Sequence, residues 1–213
     1  MKVIDLTHTI TPGMPLYPGT KPPESTTLCT VEKNGFTEKR ISISSHTGTH
    51  IDAPAHILPG GATFDRWTAD HFAGYASVLD FTNLQTPYIE VEKLRCCEPI
   101  IKKSEFILLH TGWSRYWGEE KYFGGYPVLT PEAAQWLVEF QLKGVGMDTI
   151  SVDEANSVNL PVHHILLEYG IVIIENLVHL DRLPPMNFTF CCFPFKIEDA
   201  EASPVRAVGI IFD

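Results

Sequence analysis

Short hydrophobic runs separated by polar and turn-forming residues recur along the chain. Six of these runs are rich in Val, Ile and Phe, a composition that predicts β-strands. They cover residues 77–81, 106–110, 144–147, 171–177, 188–193 and 205–212. Two further strands, at 25–33 and 37–45, are predicted to pair as a hairpin, because Asn34-Gly35 between them is typical of a tight turn. The second of these alternates through Ile41 and Ile43 and leads into His46.

Two segments carry the boundary signals of helices. Thr130-Pro131-Glu132 combines an N-cap, a proline suited to the first helical position and an acid in the first turn, and Gly144 lies beyond the predicted end. A second helix is predicted from Pro161 to about Tyr169, where Gly170 ends it. The prolines of residues 12–23 exclude regular helix and central strand, so this segment is expected to be an extended N-terminal arm. The pattern predicts a mixed α and β fold with a sheet core and few helices.

Composition narrows the class of protein. The 213 residues, 44% of them hydrophobic, fit a single domain spanning 1–213 with a core of useful size. The formal net charge of −10 argues against nucleic acid or an anionic membrane as the main partner. No apolar run is long enough for a signal peptide or a membrane span, so a cytoplasmic protein is expected. The five cysteines form no C-x-x-C motif and are expected to be buried, reduced thiols.

The segment from His46 to His56 holds the densest chemistry in the chain. His46, His50, Asp52 and His56 lie within eleven residues, in a stretch whose glycine, threonines and proline disfavour a helix. We therefore expect a loop that leaves a strand and points several side chains at one centre. Imidazole and carboxylate ligands suit Zn²⁺, Mn²⁺ or Fe²⁺, and two histidines with one carboxylate leave coordination positions open for catalysis. Structural histidines alone would not explain this density.

A second group of polar residues follows later in the chain. His163 and His164 lie on the predicted helix after Pro161, and one of the two is expected to be a bystander. Glu175 closes the apolar run that begins at Ile171, and a carboxylate buried there needs a metal or a hydrogen-bonding partner. A functional role for Glu175 is favoured over a structural one.

The His46–His56 segment resembles the H-T-G-T-H-x-D-A-P-x-H signature of the cyclase-like metal-dependent hydrolases, whose best-characterised members are bacterial kynurenine formamidases. Every fixed position of the signature is present. Supporting resemblance extends over nearly the whole chain, in Asp5-Leu6-Thr7-His8, Tyr17-Pro18-Gly19, Leu109-His110-Thr111-Gly112-Trp113, Gly146-Met147-Asp148, and His163-His164 followed by Glu175.

The resemblance implies a swivelling β/β/α-type fold and a homo-oligomer, a homodimer or homotetramer, with active sites near subunit contacts. It implies that His46, His50 and Asp52 hold a first metal, and that Asp52 bridges to a second one held by His163 and Glu175. The metal would be zinc or manganese, as one ion or two. His56 would be the catalytic acid/base.

The expected reaction is hydrolysis of a small amide or a cyclic amide or ester, such as an arylformamide of the N-formylkynurenine type. A metal-activated water would attack the carbonyl, and His56 would pass the proton to the leaving nitrogen. No G-x-S-x-G motif supports a serine hydrolase. The alternatives are an isatin hydrolase or lactone-opening enzyme of the same fold, a metal- or ligand-binding protein without turnover, and a structural zinc protein.

Aromatic residues suggest the kind of substrate. Tyr17 lies in the proline-stiffened arm, and Phe64, Trp67 and Phe72 follow the metal segment closely, so together they favour a flat aromatic substrate, although each is as readily explained by core packing. Many formamidases of the family carry W-P-G-D in this arm, where this chain has Tyr17-Pro18-Gly19-Thr20. This departure predicts weak or altered activity towards formylkynurenine.

Overall fold

The computed structural model describes residues 1–212 and contains thirteen strands and five α-helices within them. The strands are β1 (Lys2–Asp5), β2 (Glu24–Cys29), β3 (Glu38–Ser42), β4 (His50–Asp52), β5 (Ala73–Asp80), β6 (Tyr88–Ile89), β7 (Phe106–His110), β8 (Val128–Leu129), β9 (Gly144–Met147), β10 (Val172–Glu175), β11 (Phe188–Cys191), β12 (Ala202–Pro204) and β13 (Val208–Ile211). The helices are α1 (Val31–Asn34), α2 (Val91–Arg95), α3 (Glu98–Ile101), α4 (Pro131–Leu137) and α5 (Pro161–Glu168). The predicted mixture of a sheet core with few helices is confirmed.

Nine strands form one mixed sheet in the order β1-β13-β11-β5-β7-β9-β10-β4-β12. The central strands β5, β7, β9 and β10 are parallel to one another. Antiparallel strands flank them on both sides, and β4 pairs with β10 on one edge and with β12 on the other. The short β4 is therefore an interior strand of the sheet.

Alternating side chains divide the core between the two faces of this sheet. On β7, Phe106 and Leu108 join one hydrophobic cluster, whereas Ile107 and Leu109 join the other, as the two-residue period of a strand requires. The second cluster also contains buried residues of the longer helices, such as Leu137 of α4 and Leu166 of α5. The strands are apolar on both sides because both faces of the sheet are covered.

The predicted hairpin is present, but its turn is different. β2 and β3 pair antiparallel, yet they are joined by the single helical turn α1, with Gly35 in the left-handed conformation at its end (φ 79°). Asn34 is helical, so the two-residue Asn34-Gly35 turn was wrong. The second strand also ends at Ser42 and does not run into His46.

Other bounds also differ from the prediction: the strands expected at 77–81, 171–177, 188–193 and 205–212 are β5, β10, β11 and β13, with the limits given above. Residues His50–Asp52 were expected in a loop but form β4, because backbone pairing with β10 and β12 holds them extended. The helix that begins at Pro131 is capped by Thr130 as predicted, with the Ala133 N–H donating to Oγ1 of Thr130 at 3.2 Å. It ends at Leu137, earlier than Gly144 suggested, and residues 138–143 lead into β9.

The arm and the cysteines can be placed as well. Between Asp5 and Glu24 the chain forms neither helix nor ladder strand, as the prolines predicted. All five cysteines are free, but only Cys191 and Cys192 are buried and Cys96 is exposed, so the expectation of five buried thiols was wrong in part. Among residues 1–212, no helix has both the length and the apolar character needed to cross a bilayer.

Candidate metal centre

Three of the predicted ligands lie on one face of the sheet, on the neighbouring strands β4 and β10. His50 and Asp52 are two residues apart on β4, so their side chains point to the same side. Glu175 lies directly opposite His50 in the antiparallel register. Nε2 of His50 is consequently 3.4 Å from Oε2 of Glu175 and 3.6 Å from Oδ1 of Asp52. All three side chains are buried.

A turn before β4 brings His46 to the same carboxylate. Gly48 in this turn has a φ of 67°, which glycine adopts without strain, and a Cβ atom there would lie 3.1 Å from Cε of Met14. Nδ1 of His46 lies 2.9 Å from Oδ1 of Asp52. The Gly48 carbonyl accepts a 2.8 Å hydrogen bond from Nδ1 of His50, which leaves Nε2 of that ring to face the carboxylates.

His163 lies on helix α5, whose apolar side chains pack in the second hydrophobic cluster, on the same face of the sheet as the other ligands. Asp153 accepts hydrogen bonds from the backbone N–H groups of Val162 and His163, both at 3.0 Å, and so caps the first turn. Its Oδ2 also lies 2.7 Å from Nδ1 of His163. Nε2 of His163 therefore faces Oε1 of Glu175 at 3.4 Å and Oδ2 of Asp52 at 3.8 Å. The neighbouring His164 is exposed and is the bystander of the pair.

His56 ends a short 3-10 turn (Pro54–His56) that follows β4 closely. Its ring centroid lies 4.2 Å from that of His46 and 5.8 Å from that of His163. Burial lowers the pKa of His56, and the charges of His46 and His163 lower it further against the opposing effect of Asp52. A neutral imidazole at this position can accept a proton, as a general base must.

Asp52 indicates most directly that a cation fits this site. Both of its oxygens are buried, and their close neighbours are the imidazoles of His46, His50 and His163, at 2.9 to 3.8 Å. A buried carboxylate is costly unless a cation, either a metal ion or a protonated imidazole, neutralises it. Two triads share this residue, with their candidate ligand atoms within 4.8 Å of one another: His46, Asp52 and His56, and His50, Asp52 and Glu175. Imidazole nitrogens and carboxylate oxygens are suitable donors for a divalent metal.

The resemblance implied a particular division of these ligands between two ions. That division placed His46 and His50 on one ion and paired His163 with Glu175. In the structure the strand register sets His50 opposite Glu175, and Nε2 of His163 lies 3.4 Å from Oε1 of the same glutamate, so the contacts are compatible with the implied pairing of His163 with Glu175. The residues present fit one divalent ion, or two ions that share Asp52.

Charges within the centre shift several pKa values when no cation is bound. Burial lowers the pKa of His163, but Asp153 and Glu175 outweigh it and raise the pKa to about 10. The pKa of His46 is likewise raised, since Asp52 outweighs the effect of burial. Burial alone would raise the pKa of Asp52, yet His50 and His46 hold it below its usual range. When a metal binds, each coordinating histidine must lose the proton on its coordinating nitrogen and remain as a neutral imidazole.

A cavity of about 230 Å³ opens onto these ligands. Besides the two triads and His163, nine residues line the cavity. They come from the N-terminal arm, the turn before β4 and the segments around β9, β10 and α5. They are Pro15, Leu16, Tyr17, Thr20, Gly48, Ile150, Ser151, Leu160 and Asn176. Tyr17 of the arm thus lies beside the metal centre.

Phe64 and Trp67 are placed elsewhere. Phe64 is buried and packs edge-on against Trp67 and Phe72, with ring centroids 6.0 Å and 5.5 Å away. These rings belong to the hydrophobic cluster on the opposite face of the sheet and are not part of the cavity lining. The prediction that Phe64 and Trp67 bind substrate is therefore corrected: burial of their apolar surface in the core explains their positions.

Sequence reasoning missed several residues that support the ligands. Asp153 orients His163, but it lies too far ahead of Pro161 in the chain to be recognised as a capping residue, because the N-cap position is Leu160. Glu201 lies 3.7 Å from Nε2 of His46 and accepts a 2.6 Å hydrogen bond from Ser45. Asn176 lines the cavity beside Glu175. No local pattern marks Glu201, because tertiary contacts alone bring it to the site, and the only sequence signal for Asn176 is its place next to Glu175.

The fold and the centre together define a class, the metal-dependent hydrolases. The chain belongs to the cyclase family, whose sequence profile, described as "Putative cyclase", matches residues 4–154. A kynurenine formamidase of Salinibacter ruber is 31% identical over 210 residues, which cover 98% of this chain and 97% of the relative.

Solved structures agree with this assignment. Isatin hydrolase A from Labrenzia aggregata, bound to benzyl benzoate, superposes with a TM-score of 0.88 at 27% identity, covering 100% of this chain and 94% of that one. A "predicted metal-dependent hydrolase" from Bacillus stearothermophilus reaches a TM-score of 0.79 at 31% identity, covering 98% of this chain and 97% of that one. These likenesses confirm the fold class implied by the resemblance, and the chain is a hydrolase of this family.

Proposed function

We propose that this hydrolase cleaves a small aryl amide or cyclic amide, and that its metal is Zn²⁺ or Mn²⁺. The observation that carries the proposal is the cavity in which Tyr17 and the metal centre line one space. Relatives named kynurenine formamidase and isatin hydrolase act on compounds of these two kinds, an arylformamide and a cyclic amide. Both substrates place a carbonyl beside an aromatic ring.

The size and lining of the cavity favour a compact substrate. Cavities for drug-sized ligands measure about 300–1,000 Å³, whereas this one measures about 230 Å³. Pro15, Leu16 and Tyr17 supply apolar surface from the arm, and Ile150 and Leu160 add more. A flat ring can pack against these residues while its carbonyl reaches the polar side.

The chain's own residues account for the proton transfers. A divalent metal, when bound, supplies Lewis acidity that polarises a carbonyl and lowers the pKa of water. His56, neutral because burial lowers its pKa, can take the proton from the attacking water and pass it to the leaving nitrogen. Asp153 and the Gly48 carbonyl hold His163 and His50 with their Nε2 atoms turned towards the carboxylates.

A panel of substrates tests the proposal. Metal-depleted protein, reloaded with Zn²⁺ or Mn²⁺, is assayed with N-formylkynurenine, isatin and simple aliphatic lactones. We expect turnover of at least one aryl compound that is lost on chelation and restored by metal. Formylkynurenine activity should be weak, because Tyr17 stands where many family members have tryptophan. Preference for the lactones would favour the lactone-opening alternative. Metal binding without any turnover would favour a binding protein.

We further propose that the chain acts as one domain, in the cytoplasm, as a homodimer or homotetramer. The β2–β3 hairpin supports oligomerisation, since its residues are exposed almost throughout, including Leu28 and Ile41. Isolated two-stranded hairpins are only marginally stable in water. Free cysteines, one of them exposed, suit a reducing compartment. Light scattering of the purified protein measures the oligomeric state, and a monomer would contradict this part of the proposal.

A further inference from the structure

A buried network of hydrogen bonds connects the metal centre to Tyr122, far from it in the sequence. The hydroxyl of Tyr122 donates a 2.7 Å hydrogen bond to Oδ1 of Asn176. Nδ2 of Asn176 in turn donates a 3.0 Å hydrogen bond to the Gly48 carbonyl, which also accepts from Nδ1 of His50. Tyr122, Asn176 and His50 are all buried, so water cannot replace these partners.

The partners determine the orientation of the Asn176 amide. The Gly48 carbonyl can only accept, so Nδ2 must face it, and Oδ1 is then free to accept from Tyr122. With Nδ2 bonded to it, the Gly48 carbonyl is held at the position from which it accepts the His50 proton. Without this support the loop at Gly48 would be free to turn its carbonyl away from the imidazole.

The backbone of Asn176 does not depend on its own side chain. Its N–H donates to the Thr149 carbonyl at 2.9 Å, and its carbonyl accepts from Oγ1 of Thr49 at 2.6 Å. Asn176 adopts a left-handed conformation (φ 58°), which asparagine and glycine tolerate better than other residues. Asn176→Gly can therefore remove the side chain while leaving the backbone in place.

From these contacts we infer that Asn176 is a positioning residue: it holds the Gly48 carbonyl so that His50 keeps Nδ1 protonated and Nε2 directed at the metal. Tyr122 fixes Asn176 in turn. This inference rests on the centre binding a divalent cation, as the proposed function requires, but it does not depend on the identity of the substrate. Outer partners of this kind tune metal affinity through the ligand that they orient.

Three variants and one control test the inference. Asn176→Asp preserves the shape of the side chain and tolerates the left-handed backbone, but its carboxylate can only accept and cannot donate to the Gly48 carbonyl. Asn176→Gly removes the side chain. Tyr122→Phe removes only the hydroxyl. Asn187→Gly is the matched control, because Asn187 is also left-handed (φ 67°) but is exposed and lies outside the cavity lining. Each protein is depleted of metal and titrated with Zn²⁺ in competition with a chromophoric chelator.

We expect Asn176→Asp to weaken Zn²⁺ binding by roughly 10- to 100-fold, the range for lost outer partners of metal ligands. Asn176→Gly should weaken it less, Tyr122→Phe least, and Asn187→Gly not at all. Long-range ¹H–¹⁵N spectra of the Zn²⁺-loaded proteins provide a second readout. The Nδ1–H of His50 should exchange with water faster in the three variants than in the control.

Unchanged Zn²⁺ affinity and unchanged Nδ1–H exchange in all three variants would overturn the inference, even if those variants unfolded at lower denaturant concentration. That result would assign Asn176 a purely structural role. If Asn176→Asp does not fold, Asn176→Gly and Tyr122→Phe decide the question. Failure of the wild-type chain to bind Zn²⁺ or Mn²⁺ would instead contradict the proposed function, so the two failures are distinguishable.

Discussion

The two triads that share Asp52 differ in how the fold holds them. His50 and Glu175 lie on paired strands, and their side chains are only 4% and 6% exposed. His46 and His56 come from turns on either side of β4, and the side chain of His46 is 26% exposed. One triad thus lies entirely on paired strands, whereas the other takes both of its histidines from turns; both triads line the cavity.

This difference suggests a division of labour within one centre. Strand-held ligands keep their geometry because the backbone ladder fixes their register. His46 and His56 lie outside such a ladder, so we expect their side chains to adjust more readily when substrate enters and a proton moves. We therefore expect ligand loss from the strand triad to act on metal affinity, and loss of His56 to act on turnover.

The largest effect is expected at Asp52, the residue that joins the two triads. Asp52→Ala should weaken metal binding by at least about 100-fold. This is the upper end of the loss seen when a residue that only hydrogen-bonds to a metal ligand is removed, and loss of a ligand itself should cost more. Elemental analysis of protein purified without chelator measures the bound metal. Asp52→Asn, which keeps the shape but removes the charge, serves as the control. Full metal occupancy in both variants would refute the shared-ligand assignment.

The next effect is expected at His56 and tests the comparison directly. His56→Ala should lower kcat by roughly 10²-fold or more, the usual scale for a lost general acid/base, and should retain its metal. His46→Ala, from the same triad, should lose metal as well as activity. If His56→Ala also lost its metal, His56 would be a ligand, as its distance to His46 and Asp52 permits.

A smaller effect concerns the stability of the metal-free protein. The folded-state pKa of His163 is raised to about 10, above its unfolded value of 6.5. Its contribution to stability is therefore fully present below about pH 6.5 and is lost as the pH rises through about 10. Denaturant unfolding after chelation should show stability falling over this window. Asp153→Asn should flatten the fall, because Asp153 is the largest cause of the raised pKa; an identical fall in the variant would contradict that cause.

The smallest effect is expected at Tyr17, on the open side of the cavity. Tyr17→Ala should raise KM for aryl substrates by a few-fold, since aromatic pairs contribute about 0.5–1.5 kcal/mol beyond area burial. Small aliphatic substrates should be affected less. Trp67→Ala is the informative comparison: it removes a ring packed against the core and should lower stability by about 3 kcal/mol without changing substrate preference. Equal effects of Tyr17→Ala on both substrate groups would remove Tyr17 from the binding site.

The elements that could be predicted share a local origin. The short apolar runs at Phe106–His110 and Gly144–Met147 form strands with the predicted bounds, and the helices at Pro131 and Pro161 begin where their signals lie. Short strands without such a run, such as Ala202–Pro204, were not predicted, because they are extended only through pairing with a neighbour. The density of histidines from His46 to His56 likewise indicated a metal centre from spacing alone.

The sequence by itself therefore determined the donor types and the closeness of four of them, His46, His50, Asp52 and His56, since residues close in the chain cannot lie far apart. Tertiary structure decided which of them meet. The β4–β10 register set Glu175 against His50, Asp153 turned His163 inward while His164 stayed exposed, and the sheet buried Phe64 on its opposite face. These outcomes depend on strand pairing and packing between segments that are distant in the chain, so they cannot be inferred from any short stretch of sequence.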